Sequence, residues 1–205
     1  MAKKLKGKEW YTILAPKFFD GKVLGETPVG DPETAKNRVL TVSAMNLIND
    51  PSKYYFKFSF KVSEIKDNKL YTEFHRIECL RDYISRLIRH GVLRIDNNLV
   101  LNTKDGYKIR VKTVTIVSKK AKKEVEIALR KFVDKKLEEI IVSGTIEDFV
   151  KKVLNDSLKK SIVNEGNKIY PIHNFVIRKV ERIYSSRSED FKALENQESS
   201  QNQRD

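Results

Sequence analysis

The chain has little cysteine, little histidine and no long apolar run, and each shortage argues against a class of protein. Its 205 residues include one Cys and three His. A single Cys79 cannot form a disulfide within the chain, so we expect a protein of a reducing compartment, the cytoplasm. Cys79 and the histidines do not make up a metal-binding set. The most apolar helical stretch is interrupted by charges, so we expect no membrane span.

Sequence motifs for catalysis are also missing. Residues 25–30 contain two glycines separated by four residues, but Asp31 and Pro32 follow where a P-loop has Lys and Ser or Thr. His75, Cys79 and Asp82 supply the residue types of a nucleophile, base and orienting group, yet triads are assembled from distant segments. We interpret His75 as the end of a strand and Cys79 as the start of a helix. We therefore expect no enzyme, no cofactor, no metal and no small-molecule substrate.

Basic residues are what the sequence has in excess. The chain has 41 Lys and Arg against 28 Asp and Glu, a formal net charge of +13. Residues 185–205 hold five carboxylates and three basic residues, so their net charge is −2 and residues 1–184 carry +15. Because basic residues built into folded elements favour an anionic partner, we expect a nucleic acid.

Composition divides the chain into three parts. Residues 1–8 are a basic N-terminal arm, and residues 9–184 are the body. Residues 185–205 form an acidic, polar tail that contains all three Gln of the chain. The tail has too little apolar surface to offset the cost of ordering, so we expect it to be disordered.

Alternating apolar residues predict strands in the body. Residues 54–65 form a strand with one aromatic face and one basic face, and a turn at residues 66–69 joins it to a second strand at 70–77. Asp105-Gly106 predicts a type I′ turn between strands 98–103 and 107–117. Shorter strands are expected at 10–14 and 38–43, with loops between them marked by glycines and prolines from Gly21 to Pro32.

Helical apolar spacing predicts three helices. They span residues 79–90, ending before Gly91, then 121–142, and a segment that begins at Thr145 and buries Ile146, Phe149, Val150, Val153 and Leu154. The pattern of residues 168–184 suits both a helix and a strand. This order of elements predicts an α+β fold with a largely antiparallel sheet.

Fourteen basic residues are the candidate RNA contacts, chosen from charge and position. Lys108, Arg110 and Lys112 share one strand face about 6.6 Å apart, a spacing suited to successive phosphates. A lysine cluster before the 121–142 helix opposes the helix dipole unless an anion lies there. The alternative for the arm and for 178–182 is an ordinary solvated surface. The full set is Lys3, Lys4, Lys6, Lys8, Lys108, Arg110, Lys112, Lys119, Lys120, Lys122, Lys123, Arg178, Lys179 and Arg182.

Six groups of residues between positions 8 and 183 carry a family resemblance by their order and spacing. They are Lys8-Glu9-Trp10-Tyr11 with Ala15-Pro16 and Phe18; Val29-Gly30; Arg38-Val39 with Val42-Ser43 and Leu47; Thr72-Glu73-Phe74-His75 with Arg81-Asp82; Thr103-Lys104-Asp105-Gly106-Tyr107 with Arg110; and Ile169-Tyr170-Pro171-Ile172-His173 with Val176 and Arg178-Lys179-Val180. Together they resemble the small-subunit ribosomal proteins of the archaeal and eukaryotic "S-one-e" type, called "S-three-A-e" in older usage.

The resemblance implies both a fold and a function. The fold is a barrel-like antiparallel sheet joined to an α/β part, which would contain one long and two or three shorter helices, and residues 168–184 become a strand. The function is a non-enzymatic constituent of the small ribosomal subunit that binds small-subunit rRNA on the platform, near the mRNA exit and the rRNA 3′ end. Neighbouring platform proteins are further implied partners, as is mRNA near the exit. The alternative is a free-standing RNA-binding, translation-associated factor.

Overall fold

A computed structural model of the chain describes residues 7–118 and 121–184 and has α+β architecture. The strands are β1 (Glu9–Leu14), β2 (Val23–Val29), β3 (Val39–Ser43), β4 (Phe56–Lys66), β5 (Lys69–Cys79), β6 (Leu93–Asn102), β7 (Lys108–Val117) and β8 (Ile172–Arg182). The helices are α1 (Pro32–Ala35), α2 (Ala44–Ile48), α3 (Arg81–Leu87), α4 (Lys123–Val142), α5 (Ile146–Leu154) and α6 (Ser157–Gly166). The α+β class is confirmed, and so are the one long helix and the shorter ones.

The strands form one mixed, mostly antiparallel sheet. Its order is β2-β1-β5-β8-β7-β6, with β4 on the other edge of β5 and β3 beyond β4. The one parallel pair in the described residues joins β1 to β5, at residues 12–14 and 69–71. Within that part of the chain β2, β3 and β6 each pair on one side alone, so the sheet is open where the resemblance implied a barrel-like one.

The main core lies between one face of the sheet and helices α4, α5 and α6. Phe58 and Phe60 of β4 are fully buried in the same cluster as Leu137 of α4 and Phe149 of α5. Burial of each phenylalanine side chain contributes about 1.5–3 kcal/mol, so this aromatic face fixes which side of the sheet the helices cover. The predicted alternation fails at its start, where Tyr54 is exposed and Tyr55 buried because the strand begins at Phe56. It also fails at Ser59, which is buried beside a β-bulge.

Helix α5 follows its predicted pattern closely. The Thr145 hydroxyl accepts the backbone N–H of Asp148 at 3.1 Å and caps the helix, and the predicted apolar face is buried except for Leu154, which is partly buried. Helix α6 was not predicted. It begins after Asp156, whose left-handed φ of 54° separates it from α5.

Three predicted boundaries are wrong. Cys79 is not the first residue of a helix but the last of β5, where it pairs with Phe56, and α3 is shorter than predicted at Arg81–Leu87. Gly91 therefore does not follow the helix end directly; it has φ 86° in the turn before β6. The glycine- and proline-marked stretch contains strand β2, whose position at the sheet edge tolerates the missing N–H of Pro28.

The type I′ turn predicted at Asp105-Gly106 is found instead in the other hairpin, for which no type was predicted. Asp67 and Asn68 both have positive φ, so the type I′ turn joins β4 to β5. Between β6 and β7 only Gly106 has positive φ, at 77°, and its N–H donates to the Thr103 carbonyl at 3.0 Å. That geometry is a type I turn followed by a left-handed glycine. The Asp105 carboxylate instead accepts the N–H of Ile146 at 3.1 Å and ties the turn to α5.

We expect Gly106→Val to lower the free energy of unfolding by about 1–2 kcal/mol, because an L side chain in the left-handed region clashes with its own backbone. Urea denaturation measures the change. Gly106→Asn is the matched control and should cost less, since Asn tolerates this conformation. An unchanged unfolding midpoint for Gly106→Val would contradict the turn geometry.

Candidate nucleic-acid interface

The face of the sheet opposite α4, α5 and α6, which we call the outer face, is rich in basic side chains. Side-chain alternation and the strand pairings place charged residues from four neighbouring strands on it. They are Lys57 and Lys61 of β4, Arg76 and Glu78 of β5, Arg178, Lys179 and Glu181 of β8, and Lys108, Arg110 and Lys112 of β7. Glu73 of β5 pairs with Lys61 and lies on the same face, so eight cations share this surface with three carboxylates.

A β-bulge in β8 places two cations side by side on the outer face. Lys112 pairs with Lys179 while Thr113 pairs with Ile177, so Arg178 is an extra residue in the ladder. Ile177 and Val180 are both buried although they are three positions apart. The two residues between them therefore both face outwards, whereas a regular strand would turn one of them into the core.

The carboxylates of the outer face pair with some of its cations. Arg110 Nη1 lies 3.1 Å from Glu181 Oε1, and Lys179 also forms an ion pair with Glu181. Burial of Glu181 disfavours its charged form, but hydrogen bonds and charges from Lys179 and Arg110 outweigh burial and lower its pKa. By contrast, Lys108, Lys112 and Arg178 have no ion pair among the described residues. They are the predicted strand contacts whose charge is not neutralised within the protein.

Arg182 has a structural role at the end of the sheet. Its guanidinium lies 4.1 Å from the ring centroid of Tyr107 and 4.8 Å from that of Tyr184. Its Nη1 donates to Glu73 Oε2 at 2.6 Å. With a carboxylate and two rings around it, Arg182 is less available to an outside phosphate than the outer-face cations.

A cleft of about 340 Å³ opens on the outer face beside α3, and we call it the cationic cleft. Its charged lining consists of Lys57, Arg81, Lys112, Arg178, Lys179 and one carboxylate, Glu78; Cys79, Leu80 and Ile84 complete it. Lys57 and Arg81 were not among the predicted contacts. The alternation of β4 already marked Lys57 as exposed, but the adjacency of β4, β5, β8 and β7 that brings these cations together is not visible in any local pattern.

The remaining predicted contacts lie elsewhere or outside the described residues. Lys122 immediately precedes α4 and Lys123 is its first residue, and both are exposed. The lysine cluster was expected to need an anion beside the helix N-terminus. Glu124 and Glu126 in the first turn of α4 supply negative charge there, so the helix dipole does not require an outside anion. Lys8 is exposed just before β1. The positions outside the described residues are Lys3, Lys4, Lys6, Lys119, Lys120 and the tail, 185–205.

Two of the three residues considered for catalysis lie in one strand, and the third, Asp82, lies in α3. His75 and Cys79 both belong to β5, and Cys79 is buried. Burial raises the pKa of the Cys79 thiol to about 12, and the thiol donates to the Leu80 carbonyl at 3.7 Å. Burial, followed by the charges of Arg76 and Lys61, lowers the pKa of His75. The described residues include no cluster of three metal-binding side chains, and no helix among them could cross a membrane.

Comparisons with known proteins agree on one family. The model of the ribosomal S3Ae family matches residues 1–185. The small ribosomal subunit protein eS1 of Methanopyrus kandleri is 37% identical over 182 residues, which cover 87% of this chain and 86% of that protein. Proteins of the same name from Natronomonas pharaonis and Haloarcula marismortui are 33% and 32% identical over 179 residues, with 87% of this chain covered in both cases and 87% and 84% of those proteins.

We expect the Cys79 thiol to react with iodoacetamide at pH 8 at least about 100-fold more slowly in the folded protein than in urea, because the thiolate is the reactive form and burial suppresses it. The adduct is measured by mass spectrometry over time. Equal rates in the two conditions would place Cys79 on an accessible surface and contradict its position at the buried end of β5.

Proposed function

The chain belongs to the ribosomal S3Ae family, and from this we propose that it is a structural constituent of the small ribosomal subunit that binds small-subunit rRNA. We place it on the platform, near the mRNA exit and the rRNA 3′ end. Its partners there are rRNA, the neighbouring platform proteins and mRNA near the exit. As a ribosomal protein of this family it is not an enzyme, and it acts within the cytoplasmic ribosome.

The observation that carries the RNA-binding proposal is the distribution of charge on the outer face. Eight cations against three carboxylates project from four paired strands, so their positions are set by the backbone ladder. A rigid array of cations binds a polyanion well, because the protein loses little conformational entropy on binding. The release of counterions condensed on the RNA adds to the affinity. The spacing of Lys108, Arg110 and Lys112 along β7 continues the array for about 13 Å by strand rise.

Paired and unpaired cations have different roles in this proposal. Lys108, Lys112 and Arg178 contact RNA phosphates directly. Arg110 and Lys179 share Glu181 and hold the central part of the array in place. The arm with Lys3, Lys4, Lys6 and Lys8 and the segment containing Lys119, Lys120, Lys122 and Lys123 extend the contact. The body, residues 9–184, is the assembling unit, and the acidic tail takes no part in phosphate binding.

Sucrose-gradient sedimentation of lysate from cells that express the chain tests the proposal against a free-standing RNA-binding factor. We expect the protein to remain with small subunits, near one copy per particle, after a high-salt wash that removes loosely bound factors. A ribosomal protein known to assemble early is the internal control for particle integrity. Recovery of the chain in the soluble fractions, with intact small subunits that lack it, would contradict a ribosomal role.

A further inference from the structure

We propose that the cationic cleft binds one phosphate of the RNA backbone and is the strongest single contact of the outer face. The inference deepens the proposed function and rests on it, because the ligand is a phosphate group within an RNA chain. The lining of the cleft is drawn from four strands, β4, β5, β7 and β8, and from α3. The chemistry of the ligand follows from charge, from strand pairing and from the side chains present.

Most of the positive charge in the cleft is not neutralised by ion pairs within the described residues. Five cations and one carboxylate line a space of about 340 Å³. Glu78 lies 4.0 Å from Lys179 and 3.7 Å from Arg76, so it is shared with a cation outside the cleft. Lys57, Arg81, Lys112 and Arg178 have no ion pair within the described part of the chain. A bound anion would neutralise charges that the protein itself leaves unpaired.

The strand pairing is itself unfavourable in the absence of an anion. Lys112 and Lys179 are direct partners across the β7–β8 ladder, and the bulge adds Arg178 beside them. Like charges directly opposite each other destabilise a sheet. Lys179 has carboxylate partners in Glu181 and Glu78, but Lys112 and Arg178 have none among the described residues. A local rule that is only partly compensated inside the protein is typical of a functional site. Here the remaining compensation is supplied by the single negative charge of an RNA phosphodiester.

The side chains favour phosphate over other anions. Arg81 and Arg178 present planar guanidinium groups that bind two oxygens of one phosphate at once, and Lys57 and Lys112 add point charges around it. The volume is at the lower end for small-ligand pockets, enough for one phosphate and its sugar. Because the cleft is open and Lys108 and Arg110 continue along β7, the RNA chain can enter and leave across the outer face.

Substitution of two cations in the cleft tests the site, and substitution of two lysines on the exposed side of α4 is the control with the same change in net charge. Lys112→Gln with Arg178→Gln removes two positive charges from the cleft, and Lys131→Gln with Lys135→Gln removes two from exposed positions of α4. Binding of the full chain to transcribed small-subunit rRNA is measured across a salt series. We call the first double variant the cleft pair and the second the α4 pair. We expect the cleft pair to bind rRNA about 10–100-fold more weakly and to lower the slope of log affinity against log salt concentration by about one unit. The α4 pair should lose less than about 3-fold in affinity.

Glu78→Gln is expected to change the affinity for rRNA in the opposite direction. It removes the one carboxylate among the described residues that line the cleft, so we expect affinity for rRNA to rise about 3-fold or more. Urea unfolding of the cleft pair is the control for folding, and its midpoint should be unchanged or raised because a like-charge pair has been relieved. Weaker binding by Glu78→Gln, or a lowered midpoint for the cleft pair, would make the cluster structural and overturn the site.

Two further outcomes separate the site from the function on which it rests. If the unmodified protein does not bind rRNA, the proposed function itself fails. If it binds but the cleft and α4 pairs lose affinity equally, total charge governs binding and the cleft is not a site. Inorganic phosphate should compete better than chloride at equal ionic strength, because the guanidinium groups of the cleft favour phosphate oxygens. Competition no better than that of chloride would overturn the phosphate site, and binding of inorganic phosphate tighter than that of rRNA would identify a small-anion site and overturn the RNA contact.

Discussion

The burial of one face of an eight-stranded sheet under three helices is the constraint on which the rest of the structure depends. Burial of Phe58 and Phe60 fixes which face of β4 packs against the helices. Strand pairing then fixes the same face in β5, β8 and β7. Because successive side chains alternate, the residues between the buried ones must face the other way. The outer face is therefore basic because its strands carry Lys and Arg at those positions, and a register slip of one residue would bury them.

The β8 bulge modifies this constraint locally. A strand without it would turn either Arg178 or Lys179 toward the core, where an unpaired charge is costly. The extra residue lets Ile177 and Val180 both reach the core while the two cations share the outer face. The same device that satisfies the core thus concentrates charge beside Lys112. The bulge therefore serves both the packing of the core and the proposed binding of RNA.

Strong local patterns were sufficient to predict much of the fold from the sequence. The alternation of β4 and the apolar spacing of α4 and α5 identified those elements, since a buried face imposes its period on the residues. Strand β2 was missed because glycine and proline, usually signs of a loop, are tolerated at a sheet edge. The type I′ geometry was assigned to Asp105-Gly106 but occurs at Asp67-Asn68, because both turns contain suitable residues and the flanking ladder decides between them. The cleft could not be predicted, since Lys57, Arg81 and Lys112 become neighbours only through pairing between distant strands.

Crosslinking of the chain to RNA within isolated small subunits tests the central claim, that the outer face contacts rRNA, most directly. After ultraviolet irradiation and nuclease digestion, mass spectrometry identifies the peptides that carry nucleotides. The account predicts crosslinks to rRNA in the segments of β7 and β8 that contain residues 108–112 and 178–179, and at Lys57 or Arg81 beside the cleft. Crosslinks confined to the exposed side of α4, with none on β7, β8 or the cleft, would contradict it.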